Sequence, residues 1–226
     1  MRKAADQDRT LAFYHGGREW FGDFEVNPKN SKVMEHGPGL YLTNGIETAR
    51  HYAKGGGVVQ LIGIDPNATR ISDSSVSIED MVAFVRQHSI RHGKLVIEDL
   101  HHKAERMESD HLCLDYLVNL MINHKSLTPS AAKPLNEFIV SQGVDLDVFD
   151  APMFCSHGGK QDQWLVIFNP KVVIEKSKVD MKSFDWSETH LPRYEAQLAS
   201  VRSEIGDALD PLATSANEQR KAGLTP

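Results

Sequence analysis

The chain has 226 residues, which is enough to bury a sizeable core and predicts one domain with an insertion or an appendage. Its composition, 40% hydrophobic and 25% charged, is ordinary for a soluble globular protein. A net charge of −6 disfavours a general nucleic-acid-binding surface.

Cysteine usage and hydropathy predict where the protein works. Two cysteines, Cys113 and Cys155, are too few for a disulfide framework and suit a reducing cytosol. The sequence has no apolar run of about 18 residues and no signal-peptide pattern after Met1. We therefore expect a cytoplasmic protein without a membrane partner. The cytoplasm in which it acts could also be that of a host cell.

The first predicted element is a strand over residues 11–14 that ends at His15-Gly16-Gly17. Residues 1–10 are polar and predict a loose lead-in. Residues 18–36 alternate only weakly and contain Asn27-Pro28, so they predict an irregular connector.

The second element combines a turn signal, Gly37-Pro38-Gly39, with a strand over residues 40–42. A helix over 46–54 follows, because Ala49, Tyr52 and Ala53 have i, i+3, i+4 spacing. Tyr41 and Tyr52 can then face each other across a cleft, which would make a slot for a flat ring.

Residues 58–64 are rich in β-branched side chains and predict a strand, after a stop signal at residues 55–57. Residues 76–142 then predict a helical insertion. The evidence consists of a capping-box pattern, an apolar stripe and a helix start and stop: Ser77 with Asp80, Leu112 to Met121, and Thr128-Pro129 with Gly143.

The last third returns to strands, predicted at residues 147–149, 164–168 and 172–174, with a loop through 156–159. A helix with an apolar stripe over 191–209 follows, and it either docks on its own domain or binds a partner. We expect residues 1–182 to form the main domain, 183–209 to include the C-terminal helix, and 210–226 to be disordered.

Taken in order, these motifs resemble the ADP-ribosyltransferase superfamily, in its His-Tyr-Glu branch. That branch includes diphtheria-toxin-like enzymes, poly(ADP-ribose) polymerases and small transferases carried by phages and mobile elements, which this chain resembles most. Its pattern is Tyr-His-Gly, Gly-x-Gly-x-Tyr-x-Thr, Ala-x-x-Tyr-Ala and Glu-Tyr-Val-Val-Phe-x-Pro. The resemblance covers roughly residues 12–71 and 142–175. It implies an α+β fold with a split, antiparallel two-sheet core, a helical insertion and a C-terminal helix.

The resemblance also implies roles for individual residues in binding NAD. His15 would hydrogen-bond a ribose hydroxyl, and the backbone of Gly16 would approach the nicotinamide carboxamide. Tyr41 and Tyr52 would sandwich the nicotinamide ring, with Thr43 also in the cofactor site. The catalytic set would be His15, Tyr41 and Gln163.

Gln163 is a departure from the family, because it precedes the strand aromatic where we expect the glutamate. A glutamine keeps the hydrogen bond to the ribose but loses a Coulomb interaction on the order of 4 kcal/mol at about 4 Å. Asp162 would point to the opposite face unless a bulge brought it in. Position 49 is alanine, whereas the polymerases have serine there. Alanine at this position is common in the phage-type members.

Two other groups of residues could suggest a metal site or a catalytic thiol, but their spacing supports neither. His101-His102 and His111 fit no zinc-binding spacing, so we expect no metal. Cys155-Ser156-His157 would place a thiol beside an imidazole, but adjacent residues seldom converge.

The leading hypothesis is a mono-ADP-ribosyltransferase that uses NAD to modify a protein of a bacterial host, with a nucleic-acid acceptor less favoured. The alternatives are an NAD glycohydrolase and a non-catalytic NAD-binding module. Acceptor recognition is expected in the insertion and in the stripe of residues 191–209.

Overall fold

A computed structural model describes residues 10–24, 36–151 and 161–203. In these residues the protein is α+β, as predicted, and it is built on one antiparallel sheet of six strands in the order β6-β7-β2-β1-β3-β8. The strands are β1 (Leu11–Gly17), β2 (Leu40–Thr43), β3 (Val58–Ile64), β6 (Leu146–Asp150), β7 (Gln163–Ile167) and β8 (Val173–Lys178). A separate two-stranded sheet pairs β4 (Val76–Ser77) with β5 (His111–Leu112).

Five complete helices and part of a sixth accompany the strands in the described residues. They are α1 (Ile46–Tyr52), α2 (Ile78–Gln87), α3 (Gly93–Met107), α4 (Leu114–Asn123), α5 (Pro129–Ser141) and α6 (194–203). Within this part of the chain, no helix is both long and apolar enough to cross a membrane.

The sheet is continuous where two separate sheets were expected, but it narrows sharply between β1 and β2. β1 pairs with β3 over seven consecutive residue pairs, from Leu11 opposite Ile64 to Gly17 opposite Val58. On its other edge β1 pairs with β2 through a single register pair, Tyr14 opposite Thr43. The strands on the two sides of this junction therefore form two halves, β6-β7-β2 and β1-β3-β8.

The helices of the insertion pack around a buried apolar cluster that also includes Val166 of β7 and Phe168 just beyond it. Met81, Leu100, Leu117 and Leu135 are fully buried in it. The predicted cap at Ser77 is confirmed, because its side chain accepts the Asp80 N–H.

Two details of the insertion differ from the prediction. Leu112 lies in β5, and α4 begins only at Leu114. Helix α3 was not predicted, because its buried side chains, Val96 and Leu100, are few among many polar residues.

The predicted ends of α5 are largely correct. Thr128 is the N-cap residue and Pro129 opens the helix, although the Thr128 side chain makes no capping hydrogen bond. Gln142 caps the helix, and Gly143 follows in the left-handed region with φ of +77°.

Each face of the main sheet is covered by different elements. On the insertion face, the helical insertion packs against the Tyr41 and Val166 side, and α1 packs against the Tyr14 and Val59 side. On the α6 face, Tyr194 and Val201 of α6 pack against apolar residues of five strands: Leu11, Phe13, Leu42, Ile62, Ile64, Leu146, Leu165 and Ile167.

The stripe of α6 thus docks on its own domain, one of the two uses considered. Ile205 and Leu209 of that stripe, the 156–159 loop, the 1–9 lead-in and the 210–226 tail lie outside the described residues.

Candidate functional site

The His15 side chain lies where β1 and β2 separate. Its Nδ1 atom is 2.9 Å from the carbonyl oxygen of Tyr41 on β2. Because a carbonyl only accepts, Nδ1 carries the proton and Nε2 presents a lone pair. Burial lowers the pKa of His15, and the bond to the Tyr41 carbonyl opposes that shift only in part. The imidazole is therefore neutral at pH 7, and its Nε2 is an acceptor suited to a hydroxyl donor.

Two glycines after His15 shape its surroundings. A Cβ on Gly16 would lie 1.6 Å from the carbonyl oxygen of Ala49, so only glycine lets α1 approach β1 this closely. A Cβ on Gly17 would lie 2.6 Å from Nε2 of His15. We expected the missing Cβ of Gly16 to let a ligand approach its backbone. In the structure, the space that this Cβ would fill is occupied by the Ala49 carbonyl of α1.

Tyr41 is anchored at both ends. Its hydroxyl donates to the Gly37 carbonyl (2.9 Å) and accepts the His36 N–H (3.0 Å), which closes the turn before β2. Its ring packs against the core of the insertion. The structure thus brings Tyr41 and His15 together through the Tyr41 backbone.

Tyr52, at the end of α1, is 58% exposed. Its ring meets Trp164 of β7 edge to face, with centroids 6.2 Å apart and planes at 79°. Trp164 makes a similar contact with Phe149 of β6 at 6.0 Å. The indole N–H of Trp164 is buried and has no hydrogen-bond partner in the described part of the chain. An exposed aromatic face next to this row is suited to stacking a flat ring.

Thr43 and Asp162 together hold the turn between β2 and α1. The Thr43 hydroxyl accepts the Gly45 N–H at 3.1 Å and lies 3.4 Å from Oδ2 of Asp162. The fully buried Asp162 also accepts a hydrogen bond from Nε2 of His190 at 2.9 Å. Both side chains are occupied in joining the C-terminal segment to this turn.

Gln163, which the sequence predicts to be catalytic, is buried and hydrogen-bonded through both polar atoms of its side chain. It is 3% exposed, its Oε1 accepts the Tyr194 N–H (2.6 Å), and its Nε2 donates to Glu195 (3.2 Å). Tyr194 is the first residue of α6, so Gln163 satisfies a donor that the helix itself cannot. Adjacent residues of a strand point to opposite faces, which puts Gln163 on the α6 face and Trp164 on the insertion face.

The spacing of the resembled motif also offers Trp164 as a candidate for the position of the glutamate. In Glu-Tyr-Val-Val-Phe-x-Pro the glutamate stands six residues before the proline, and six residues before Pro170 is Trp164. Counting from the proline, and not from the strand aromatic, puts Trp164 where the resembled family has its glutamate. That side chain lies beside Tyr52, as described above.

A cluster of titratable groups adjoins the aromatic row and was not predicted. Burial, and next the charge of Asp115, raise the pKa of Asp147 to about 6. Burial also raises the pKa of Asp115. Nδ1 of His36 lies 3.8 Å from Oδ2 of Asp147. The His36 ring stacks on Phe149 with ring centroids 3.4 Å apart.

Comparisons of the chain with protein-family models, with curated proteins and with solved structures found no match. The described residues contain no group of three or more histidine, cysteine, aspartate or glutamate side chains placed to hold a metal ion.

Proposed function

We propose that the chain is an ADP-ribosyltransferase-type domain that binds NAD and turns it over slowly or not at all. Three features support NAD binding: the order of the motifs, the neutral His15 with an acceptor nitrogen, and the exposed ring of Tyr52. The narrow junction between β1 and β2 supports the split-core fold of that superfamily.

The observation that carries the limit on turnover is Trp164. Breaking the bond between nicotinamide and ribose develops positive charge on the ribose, which a nearby carboxylate stabilises. Trp164 supplies an indole beside Tyr52 where the resembled motif has a carboxylate. Gln163 does not replace that group, because α6 engages both polar atoms of its side chain.

The second candidate is mono-ADP-ribosyl transfer from NAD to a protein of a bacterial host. The contact between His15 and Tyr41 favours it, because a fixed imidazole would hold a ribose in one orientation. An NAD glycohydrolase would use the same groups with water as the acceptor.

The test measures NAD binding by calorimetry and nicotinamide release from NAD, with and without bacterial lysate. We expect the native protein to bind NAD with little release, and His15→Ala to bind more weakly. Trp164→Glu should increase release by about tenfold or more, because it places a carboxylate beside Tyr52. The matched variant Gln163→Glu should not, because its new charge faces Glu195.

Other outcomes identify the alternatives. Fast release by the native protein that needs lysate and labels a discrete band would establish the transferase. Equal release without lysate would establish the glycohydrolase. Failure to bind NAD at all would refute the proposal.

If transfer occurs, we propose that the insertion contacts the acceptor. The described apolar residues of α6 are occupied by the sheet, whereas α3 exposes Leu95 (47%) and Met107 (55%). Replacing both by serine should reduce lysate labelling and leave acceptor-free nicotinamide release unchanged. Unchanged labelling would exclude this surface.

A further inference from the structure

Gln60 of β3 is a buried polar side chain whose oxygen no contact among the described residues explains. It is 4% exposed, and its Oε1 atom has no hydrogen-bond partner in the described part of the chain. A buried acceptor without a donor destabilises a fold, and such groups are rare in folded proteins. The described residues supply no donor to this oxygen, so a bound ligand can supply one.

His15 lies directly opposite Gln60 across the β1–β3 ladder. Directly opposite residues of an antiparallel pair share a face, with Cβ atoms about 4.5–5.5 Å apart. Since Nδ1 of His15 is bonded to Tyr41, its Nε2 is a second acceptor on this face. Two neighbouring acceptors, an imidazole nitrogen and an amide oxygen, require a ligand with two adjacent donors.

We infer that Gln60 is a further ligand-binding residue, and that Gln60 and His15 together bind the vicinal hydroxyl groups of a ribose. This inference rests on the proposed function, since NAD contains two such riboses. A ribose diol donates two O–H groups from neighbouring carbons, one to Nε2 of His15 and one to Oε1 of Gln60.

The neighbouring side chains fit a phosphorylated ribose. Lys178 of β8 lies directly opposite Gln60, so the row His15, Gln60, Lys178 crosses three strands on one face. The Lys178 ammonium would meet a phosphate attached to the ribose. Trp20 meets the His15 ring edge to face at 5.1 Å and forms the adjoining wall.

The test is Gln60→Met, which keeps the length of the side chain and removes the acceptor. Calorimetric titrations would use NAD, ADP-ribose and nicotinamide, with thermal unfolding measured in parallel. We expect the variant to bind NAD and ADP-ribose about five- to tenfold more weakly, as for a lost hydrogen bond. Nicotinamide binding should not change, and the unfolding midpoint should stay equal or rise.

Ser126→Ala is the matched control, because the buried Oγ of Ser126, which lies in the insertion, also has no hydrogen-bond partner among the described residues. Its midpoint should stay equal or rise, with no change in affinity for any of the three probes. If Gln60→Met fails to fold, Gln60→Leu is measured in the same way.

Three outcomes would overturn the inference. Unchanged NAD and ADP-ribose affinity in a folded Gln60 variant would show that this amide binds no ligand. A weakening that includes nicotinamide equally would indicate distortion of the whole site. Absence of binding of all three probes by the native protein would refute the proposed function together with this inference.

Discussion

Two buried glutamines lie on the α6 face of the same sheet and differ in what surrounds them. At the β7–α6 corner, Gln163 is 3% exposed and both of its polar atoms are hydrogen-bonded within the chain. At the β1–β3 corner, Gln60 is 4% exposed and its oxygen has no partner in the described residues. Burial alone therefore does not separate a structural amide from a binding one, whereas the matching of donors to acceptors does.

The largest loss of stability is expected where α1 packs against β1. Gly16→Ala places a Cβ 1.6 Å from the Ala49 carbonyl oxygen, so α1 must move or the strand must bend. We expect a loss of about 3 kcal/mol or more in the free energy of unfolding, measured in urea, together with loss of NAD binding.

Gly63→Ala is the matched strand control for this substitution. Its Cβ would meet Glu175 and Thr10 side-chain atoms at 3.2 Å, which small adjustments relieve. A loss in Gly63→Ala as large as that in Gly16→Ala would contradict the proposed role of the α1 contact.

The next largest loss of stability is expected where Gln163 of β7 contacts the start of α6. Gln163→Met removes the acceptor of the buried Tyr194 N–H and the donor to Glu195. We expect a loss of about 1–3 kcal/mol in the free energy of unfolding, because a buried donor is left unpaired.

The methionine variants of Gln163 and Gln60 should differ in their effect on α6. Amide hydrogen exchange of α6 should accelerate in Gln163→Met and not in Gln60→Met. Equal stability losses in the two methionine variants would remove the distinction between the two glutamines.

The half-buried carboxyl of Asp147 should make stability depend on pH. Its folded pKa, about 6, lies above the ordinary value of 3.8, because of burial and then the Asp115 charge. The folded state thus favours the protonated carboxyl, whose contribution is complete below pH 4 and is lost as pH rises through 6.

Asp147→Asn keeps an acceptor for the Val148 N–H and removes this titration. We expect the variant to exceed the native protein in free energy of unfolding by on the order of 2 kcal/mol at pH 7.5. The difference should shrink towards pH 4. A difference independent of pH would show that the carboxyl does not titrate in this range.

The smallest effect concerns Tyr52. Tyr52→Phe retains the ring and its contact with Trp164, so the unfolding free energy should change by less than about 0.5 kcal/mol. NAD affinity should also be retained, whereas Tyr52→Ala should lower it by about threefold to tenfold. Equal affinities of the phenylalanine and alanine variants would exclude ring stacking.

Local pattern predicted the elements well where periodicity and turn signals agreed. The strand over 58–64 and the helix that begins at Pro129 have the predicted bounds or starts. Local pattern could not indicate contacts between residues that are distant in sequence. Nothing near Gln163 indicates that Tyr194 will use its oxygen, and nothing near Gly16 indicates that the Ala49 carbonyl will lie against it.

The residues of the candidate site likewise fall into those that sequence motifs predicted and those that depend on distant contacts. His15 and Tyr41 were predicted from their motifs, and the structure brings them within hydrogen-bonding distance. Gln60 was not singled out, because it lies in a strand with no motif and gains its meaning only from the register with His15. Aligning the motif on Pro170 instead of on the strand aromatic would have selected Trp164 in place of Gln163, and a shift of one residue in a strand exchanges the two faces.

The order of the strands has a consequence for biosynthesis. β2 lies beside β7, with Leu40 opposite Ile167, and the whole insertion separates them in the chain. Such a pairing between distant segments forms slowly and must wait for β7 to emerge from the ribosome. The apolar cluster of the insertion includes Val166 of β7, so the packing of the insertion helices helps to bring the two strands together. We expect nascent chains that end before β7 to carry the His15, Tyr41 and Tyr52 motifs without assembling the candidate site, so that no nucleotide binds until β7 has been made.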